Sequence, residues 1–285
     1  MTSRPSFRTL LERDGSTTLA SVFDAMSARL AELAGFEGGF VGSSVTSASI
    51  HAAPDIGILT RSELAEQVRR MTSATNLALL VDADDGFGNA LNTIWTVRDL
   101  EAAGAAAVTI EDTSLPQAFG VEADQVITDD AFEAKLKAAI SARTSPDFCI
   151  VGQTVVLPEH GIQRAIERAK LVERAGADAL LVFKLDRPDE LEAIAAATAL
   201  PLMLAPLASS LNDPALLARC RVRALFHGHQ PFRAALAALH QSYRVLRETG
   251  DAALSGPNSR DLLNAAIKTD EINRLAQAFL GVNAA

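Results

Sequence analysis

Eight short apolar runs, alternating with segments of helical period along almost the whole chain, predict an α/β protein that closes into one (β/α)8 TIM-type barrel. Two further observations point the same way. Acidic clusters begin where apolar runs end, which is where parallel α/β folds build their sites, and Ala-Gly-Ala-like sequences return the chain from helix to sheet. A doubly wound open sheet is the alternative that the same alternation allows. At 285 residues and 48% hydrophobic content the chain can bury one large core, so residues 1–285 read as a single domain, with 257–285 as a C-terminal helical extension.

The strand candidates are 18–22, 39–41, 77–81, 106–110, 148–152, 179–183, 201–204 and 222–226. Each is a run of the length of a buried strand. Amphipathic helices are expected at 61–72, 96–103, 130–142, 163–175, 188–198 and 232–246, where apolar residues recur three and four apart. Ser43 to Leu59 breaks the pattern and reads as a long loop, the kind that often carries function. Asp24 reads as an N-cap, and His51 as structural or exposed.

A net charge of −9, with no basic run, argues against nucleic-acid and anionic-membrane partners. No stretch is apolar enough to span a bilayer, and the first residues lack the apolar core of a signal peptide. Cys149 and Cys220 sit inside apolar runs and read as buried thiols in a reducing, cytoplasmic compartment.

The stretch from Leu79 to Gly120 concentrates the chemistry. Asp82, Asp84 and Asp85 follow one strand candidate, and Glu111 and Asp112 follow the next. Carboxylates that converge in a concavity raise one another's pKa unless a cation lies among them. Oxygen-only ligands favour Mg²⁺, with Mn²⁺ possible, over Zn²⁺. Solvated loop acids and helix caps remain the competing reading. Gly42, Ser43 and Ser44 follow the second strand, and their small side chains leave backbone N–H groups to cradle an anion; an ordinary turn is the other reading.

The set Asp82, Asp84, Gly86, Phe87, Gly88, Asn89, then Glu111, Asp112, Pro116 and Gly120, resembles the isocitrate lyase and phosphoenolpyruvate mutase superfamily, most closely its oxaloacetate decarboxylase branch. Ser21 to Ser27, Gly42 to Ser44, Pro54-Asp55 and Gly228-His229 extend the resemblance over most of the chain. It implies a Mg²⁺ site at Asp82, Asp84 and Glu111, with Asp55 as a further acid in its outer shell. It also implies substrate contacts from Gly42, Ser43, Ser44, Asp84 and His229, a gating loop near 121–129, and a homotetramer or homodimer that exchanges a C-terminal helix.

Three departures from the pattern bear on substrate. Gln117 to Val121 stands where the cleaving lyases carry their cysteine, with Phe119 in place of the thiol, which argues against isocitrate cleavage by that route. Gln153 stands where the relatives carry an arginine that clamps a carboxylate. Pro206-Leu207 stands where the decarboxylases carry an aromatic residue, and Lys184 ends the sixth strand. The lysine either restores the missing charge or snorkels to the rim. Together these readings predict a Mg²⁺-dependent carbon–carbon lyase of a small 2-oxo or 2-hydroxy acid working through an enolate, with Asp55, Gln153, Lys184 and His229 as candidate catalytic residues. The alternatives are C–C or C–P cleavage of a more apolar 2-oxo acid, a Schiff-base aldolase using Lys184, and a barrel that only binds.

Overall fold

The computed structural model describes residues 6–120, 126–155, 160–250 and 259–282. Its strands are β1 (Thr17–Ser21), β2 (Gly38–Val41), β3 (Ala78–Asp82), β4 (Ala107–Glu111), β5 (Cys149–Val155), β6 (Ala179–Phe183), β7 (Leu202–Ala205) and β8 (Val222–Phe226). They pair in parallel in chain order, and β1 closes on β8 with Thr17 opposite Ala224. The expected barrel is therefore present, and the open sheet is excluded. Strand bounds shift by about one residue from the sequence reading, except that β5 runs on to Val155.

Around the barrel lie α2 (Ala25–Leu33), α4 (Arg61–Ala74), α5 (Ala90–Ala102), α6 (Asp129–Ala142), α7 (Gly161–Ala175), α8 (Pro188–Ala197), α9 (Pro214–Arg219) and α10 (Gln230–Thr249). Before the first strand runs α1 (Phe7–Glu12), which the sequence reading missed. Its Phe7, Leu10 and Leu11 are buried in the same cluster as Leu19, Leu80 and Ala224, so the helix plugs one end of the barrel. After α10 come α11 (Ser259–Ala266) and α12 (Thr269–Leu280), matching the helical extension expected at 257–285; residues 257, 258 and 283–285 lie outside the described residues.

The segment read as one long loop is corrected here, because Ser43–His51 forms α3. Serine and threonine hide this helix from propensity arguments. Their hydroxyls instead bond back one turn, Thr46 Oγ1 donating to the Gly42 carbonyl at 2.8 Å and Ser49 Oγ to that of Val45 at 2.6 Å. Only residues 52–60 remain irregular, after Ala52 caps the helix in the left-handed region at φ 52°. Asp24 caps α2 as expected, its Oδ1 accepting the Ser27 N–H at 2.6 Å, and His51 is exposed beside Glu63 at 3.3 Å.

Strand parity sorts the side chains into two cores. Leu80, Ala107, Cys149, Val151, Leu181 and Met203 point inward and fill the barrel interior. Leu79, Val81, Val108, Ile110, Ile150 and Val182 point outward against the helices. The outward layer is tight at Gly152, where a Cβ would stand 2.6 Å from Val172 of α7. Continuing the inward parity to the C-terminal ends of β3, β4 and β5 brings Asp82, Glu111 and Gln153 to the mouth of the barrel. Fold and site are thus joined by the period of two.

Candidate active site

A cavity of about 400 Å³ opens at the C-terminal end of the strands. Its wall includes Ser43, Ser44, Asp55, Asp82, Asp84, Glu111, Gln153, Lys184 and His229, so the sequence-predicted site residues converge there. Gly42 adjoins it as the residue preceding α3.

Neighbouring acids in the sequence separate in space. Asp84 turns into the cavity because its backbone adopts the left-handed region, φ 48°, and its amide donates to Asp82 Oδ1 at 3.3 Å. Asp85 turns away, buried and paired with Lys135 of α6 at 3.0 Å, while its Oδ1 accepts the Phe87 N–H at 2.9 Å. The same division occurs after β4. Glu111 faces the cavity, whereas Asp112 points outward, accepts from Thr154 Oγ1 at 2.6 Å and lies 3.3 Å from Arg168 Nε of α7. Asp85 and Asp112 are therefore scaffold, and two charged pairs lock the loops that aim Asp84 and Glu111.

The cavity carboxylates raise one another. Burial, with the neighbouring Asp55 charge, pushes Asp82 up to about 6, although the Thr109 hydroxyl at 3.0 Å counters it. Burial and the charges of Asp82 and Glu111 lift Asp84 well above the usual carboxylate range, and burial and Asp82 push Glu111 up to about 8. Relief comes from α3, whose first residue, Ser43, turns its amide to Asp82 and its hydroxyl to Asp84. Glu111 accepts from the Thr113 hydroxyl and from Gln153 Nε2, the latter at 2.7 Å. Among the described residues no group of three or more His, Cys, Asp or Glu side chains stands close enough together to hold a metal ion by itself. A hard cation here would therefore keep much of its water and take only one or two carboxylates directly. The donor set is all oxygen and mutually repelling, so Asp82, Asp84, Glu111 and Asp55 fit a divalent cation.

Opposite the acids stands His229, which ends the β8 turn. Its Nδ1 is 2.7 Å from the Ser21 hydroxyl, and burial, with Arg233 nearby, pushes its pKa down to about 4, so the ring is neutral at pH 7. The Ser21 contact leaves Nε2 as the atom offered to a ligand, a donor or acceptor according to the tautomer. The ring packs on Gly42, where a Cβ would lie 2.6 Å from Cε1 and 2.7 Å from Nε2. Glycine is required there for close approach.

Lys184 lines the cavity but is exposed, its backbone at φ 59° and its Nζ 5.5 Å over the Phe183 ring. Pro206 also reaches the wall, whereas Leu207, expected to line the pocket, packs against the outer core; proline ends the inward run after Ala205 and turns the next side chain away. Arg233, one turn into α10 from His229, lines the cavity and was missed from sequence. The His-x-x-x-Arg spacing at the start of a helix was the available signal. Of the expected gating segment, 121–125 lies outside the described residues, while its far end is fastened by an Ile127 N–H to Asp112 carbonyl bond at 2.9 Å and a Thr113–Val126 bridge. Phe119 is fully exposed, and both cysteines are buried away from the cavity, with Cys149 pushed up to about 12 by burial.

The family model described as phosphoenolpyruvate phosphomutase matches residues 7–247. The chain belongs to the phosphoenolpyruvate phosphomutase family. Within this family it is 41% identical to an oxaloacetate decarboxylase of Paraburkholderia xenovorans (strain LB400) over 281 residues, 98% of this chain and 94% of that protein. An oxaloacetate decarboxylase of Rhodopseudomonas palustris (strain BisB18) is 43% identical over 280 residues, 98% and 97% of the two chains. Among solved family structures, a phosphonopyruvate hydrolase complexed with oxalate and Mg²⁺ superposes with a TM-score of 0.82 at 31% identity, covering 98% of this chain and 99% of the other. A phosphoenolpyruvate phosphomutase from Streptomyces platensis subsp. rosaceus superposes with a TM-score of 0.85 at 27% identity, covering 98% and 99%.

Proposed function

We propose that this chain is a Mg²⁺-dependent carbon–carbon lyase of a small 2-oxo acid, related in activity to the oxaloacetate decarboxylases it resembles. One observation carries the reading: four carboxylates, Asp55, Asp82, Asp84 and Glu111, face one cavity beside the N-terminus of α3, with three of them held at raised pKa by burial and by one another's charge. When bound, the divalent cation would withdraw electron density from the 2-oxo group and stabilise an enolate. Mn²⁺ is the other ion that such a donor set accepts.

The chain's own groups divide the remaining work. Ser44, at the positive end of α3, receives the acid group of the substrate, while Ser43 gives its amide to Asp82 and its hydroxyl to Asp84. His229, neutral and held by Ser21, presents Nε2 to the oxo oxygen or to the carbon being protonated. Thr109, Thr113 and Gln153 hold the carboxylates in place through direct hydrogen bonds. Asp55, at the exposed side of the cavity, supplies an acid close enough to act on the substrate or on cation-bound water. The aldolase reading is disfavoured because Lys184 is exposed and stacked on Phe183, unlike a desolvated imine-forming amine.

Assembly belongs to the same proposal. The 20-residue α10 buries no side chain, and its Leu236, Leu239, Tyr243 and Leu246 are exposed, as are Ile272, Leu275 and Phe279 on α12. Such faces favour a homodimer or homotetramer. The free, buried Cys149 and Cys220 favour a reducing, cytoplasmic setting, and among the described residues no helix is long and apolar enough to cross a membrane. A screen of 2-oxo and 2-hydroxy acids with and without Mg²⁺, read by product detection, tests the activity. Turnover insensitive to chelator would overturn it.

A further inference from the structure

We infer that the N-terminal end of the barrel, opposite the carboxylate cavity, carries a second binding site in which Arg223, Arg221 and Arg8 receive a small oxyanion through its phosphate or carboxylate group. The site stands apart from the proposed lyase chemistry.

A cavity of about 330 Å³ opens at this end, and Arg8, Asp178, Pro201, Arg221 and Arg223 line it. Chain order places it away from the acids: Asp178 directly precedes β6, Pro201 precedes β7, and Arg221 and Arg223 flank Val222, the first residue of β8. Arg8 comes from α1, the helix that plugs this end. In a chain of net charge −9, three guanidinium groups around one hollow reverse the sign locally.

The acids on the wall do not cancel that charge. Asp178 is spent on other bonds, its Oδ1 accepting from Arg8 Nη2 at 2.7 Å and its Oδ2 from Arg143 Nη1 at 2.6 Å and from the Ile150 N–H at 2.8 Å. Two arginines share this one carboxylate, so a positive charge is left over. Glu12, the other acid on the wall, is exposed. Arg221 is anchored by neutral partners, its Nη2 donating to the Ala195 and Thr198 carbonyls at the end of α8, which hold the guanidinium in place and leave its charge unneutralised.

Arg223 carries the inference furthest. Its side chain is only 18% exposed, it donates no hydrogen bond among the described residues, and its ion-pair partner, Asp14, stands 3.6 Å away and is fully exposed. A guanidinium largely withdrawn from water without gaining a close acceptor is short of hydrogen bonds. Its planar fork matches the paired oxygens of a phosphate or carboxylate. Because Arg8 and Arg221 are fixed by their own bonds, the hollow is formed before a ligand arrives, which lowers the cost of binding.

The test is calorimetric titration of the full chain, freed of divalent metal so that the carboxylate cavity repels anions, with inorganic phosphate and with malonate at an ionic strength held constant by chloride. Saturable binding of at least one anion in the millimolar range or below is expected, the tighter of the two identifying the ligand's acid group. Arg223→Gln, checked for folding by its melting curve in chloride, is expected to weaken that binding by about tenfold or more, the loss of one charge-assisted hydrogen bond. In the wild type the bound anion should also shield Arg223 from phenylglyoxal, read by peptide mass mapping, which tests the residue even where the variant misfolds. Absence of saturable binding by both anions, undiminished binding in folded Arg223→Gln, or modification of Arg223 as fast with the anion as without it would each overturn the inference.

Discussion

Asp82 illustrates how one residue links stability to function. Its carboxyl is held up near pH 6 and that of Glu111 near 8, so the metal-free native state keeps protons that the unfolded chain releases above its ordinary carboxylate pKa of about 4 to 4.5. Where the native state binds more protons, stability falls as pH rises. His229, depressed to about 4, acts in the opposite sense between pH 4 and its ordinary 6.5, because there the unfolded chain binds the extra proton. Above pH 6.5 the histidine contribution fades and, of these groups, the carboxylates dominate. The metal-free melting temperature is therefore expected to fall between pH 6.5 and 8, and Mg²⁺ to restore it while releasing protons, measurable by calorimetry in buffers of different ionisation enthalpy. Asp82→Asn removes one repelling charge, so it should raise the metal-free melting temperature and abolish most of the Mg²⁺ effect. Unchanged Mg²⁺ affinity in that variant would contradict its place in the site. The acids themselves were legible in sequence, and the resemblance singled out Asp82, Asp84 and Glu111, but nothing in the spacing set Asp85 and Asp112 apart from them. Parity could have separated Asp112, one residue beyond an inward Glu111, whereas the left-handed turn at Asp84 has no signal in a propensity scale.

At the scale of elements, α3 decides how the second strand's loop works. Read as loop, Gly42 to Ser44 offered only amides; as the start of a nine-residue helix it offers amides with an aligned dipole facing Asp82 and Asp84. The helix escaped notice because its buried residues include Ser43, Thr46 and Ser47; the Thr46 and Ser47 hydroxyls pair within the segment, and that of Ser43 with Asp84, instead of marking it polar and exposed. All eight strands were legible, since most are nearly continuous apolar runs buried on both faces, β1 with its exposed Thr18 being the weakest. Gly42→Ala tests the junction of β2, α3 and β8. Its methyl group would meet the His229 ring, which Ser21 holds at 2.7 Å, so ring and helix start must part. Turnover should fall by about tenfold or more, as expected when a positioned group moves by roughly 1 Å, with the melting temperature little changed. An unaffected variant would free His229 from its assigned place.

For the whole molecule, the exposed apolar faces of α10 and α12 are the feature that a lone barrel does not explain. The sequence showed their amphipathic pattern and the tail's surplus of leucine and isoleucine, but not which face lacks a partner, because that depends on how the helices pack against the rest of the fold. Light scattering should give a mass of at least about twice 30.1 kDa. Leu239→Glu, which places a charge on the exposed face of α10, should lower that mass without unfolding the barrel, whose interior α10 does not enter. A strictly monomeric wild type would refute the assembly.

The central claim is that this barrel stabilises the enolate of a 2-oxo acid with a divalent cation held by its carboxylates. Pyruvate carries the acid and oxo groups without a leaving group, so the same site, run on pyruvate alone, should loosen its methyl protons. Proton NMR of pyruvate in deuterated water follows this directly. The account predicts exchange of the methyl protons that requires Mg²⁺, stops on chelation, and is lost in Asp82→Asn. Methyl exchange no faster than the enzyme-free rate in the presence of Mg²⁺, or equally fast after the metal is stripped, would contradict it.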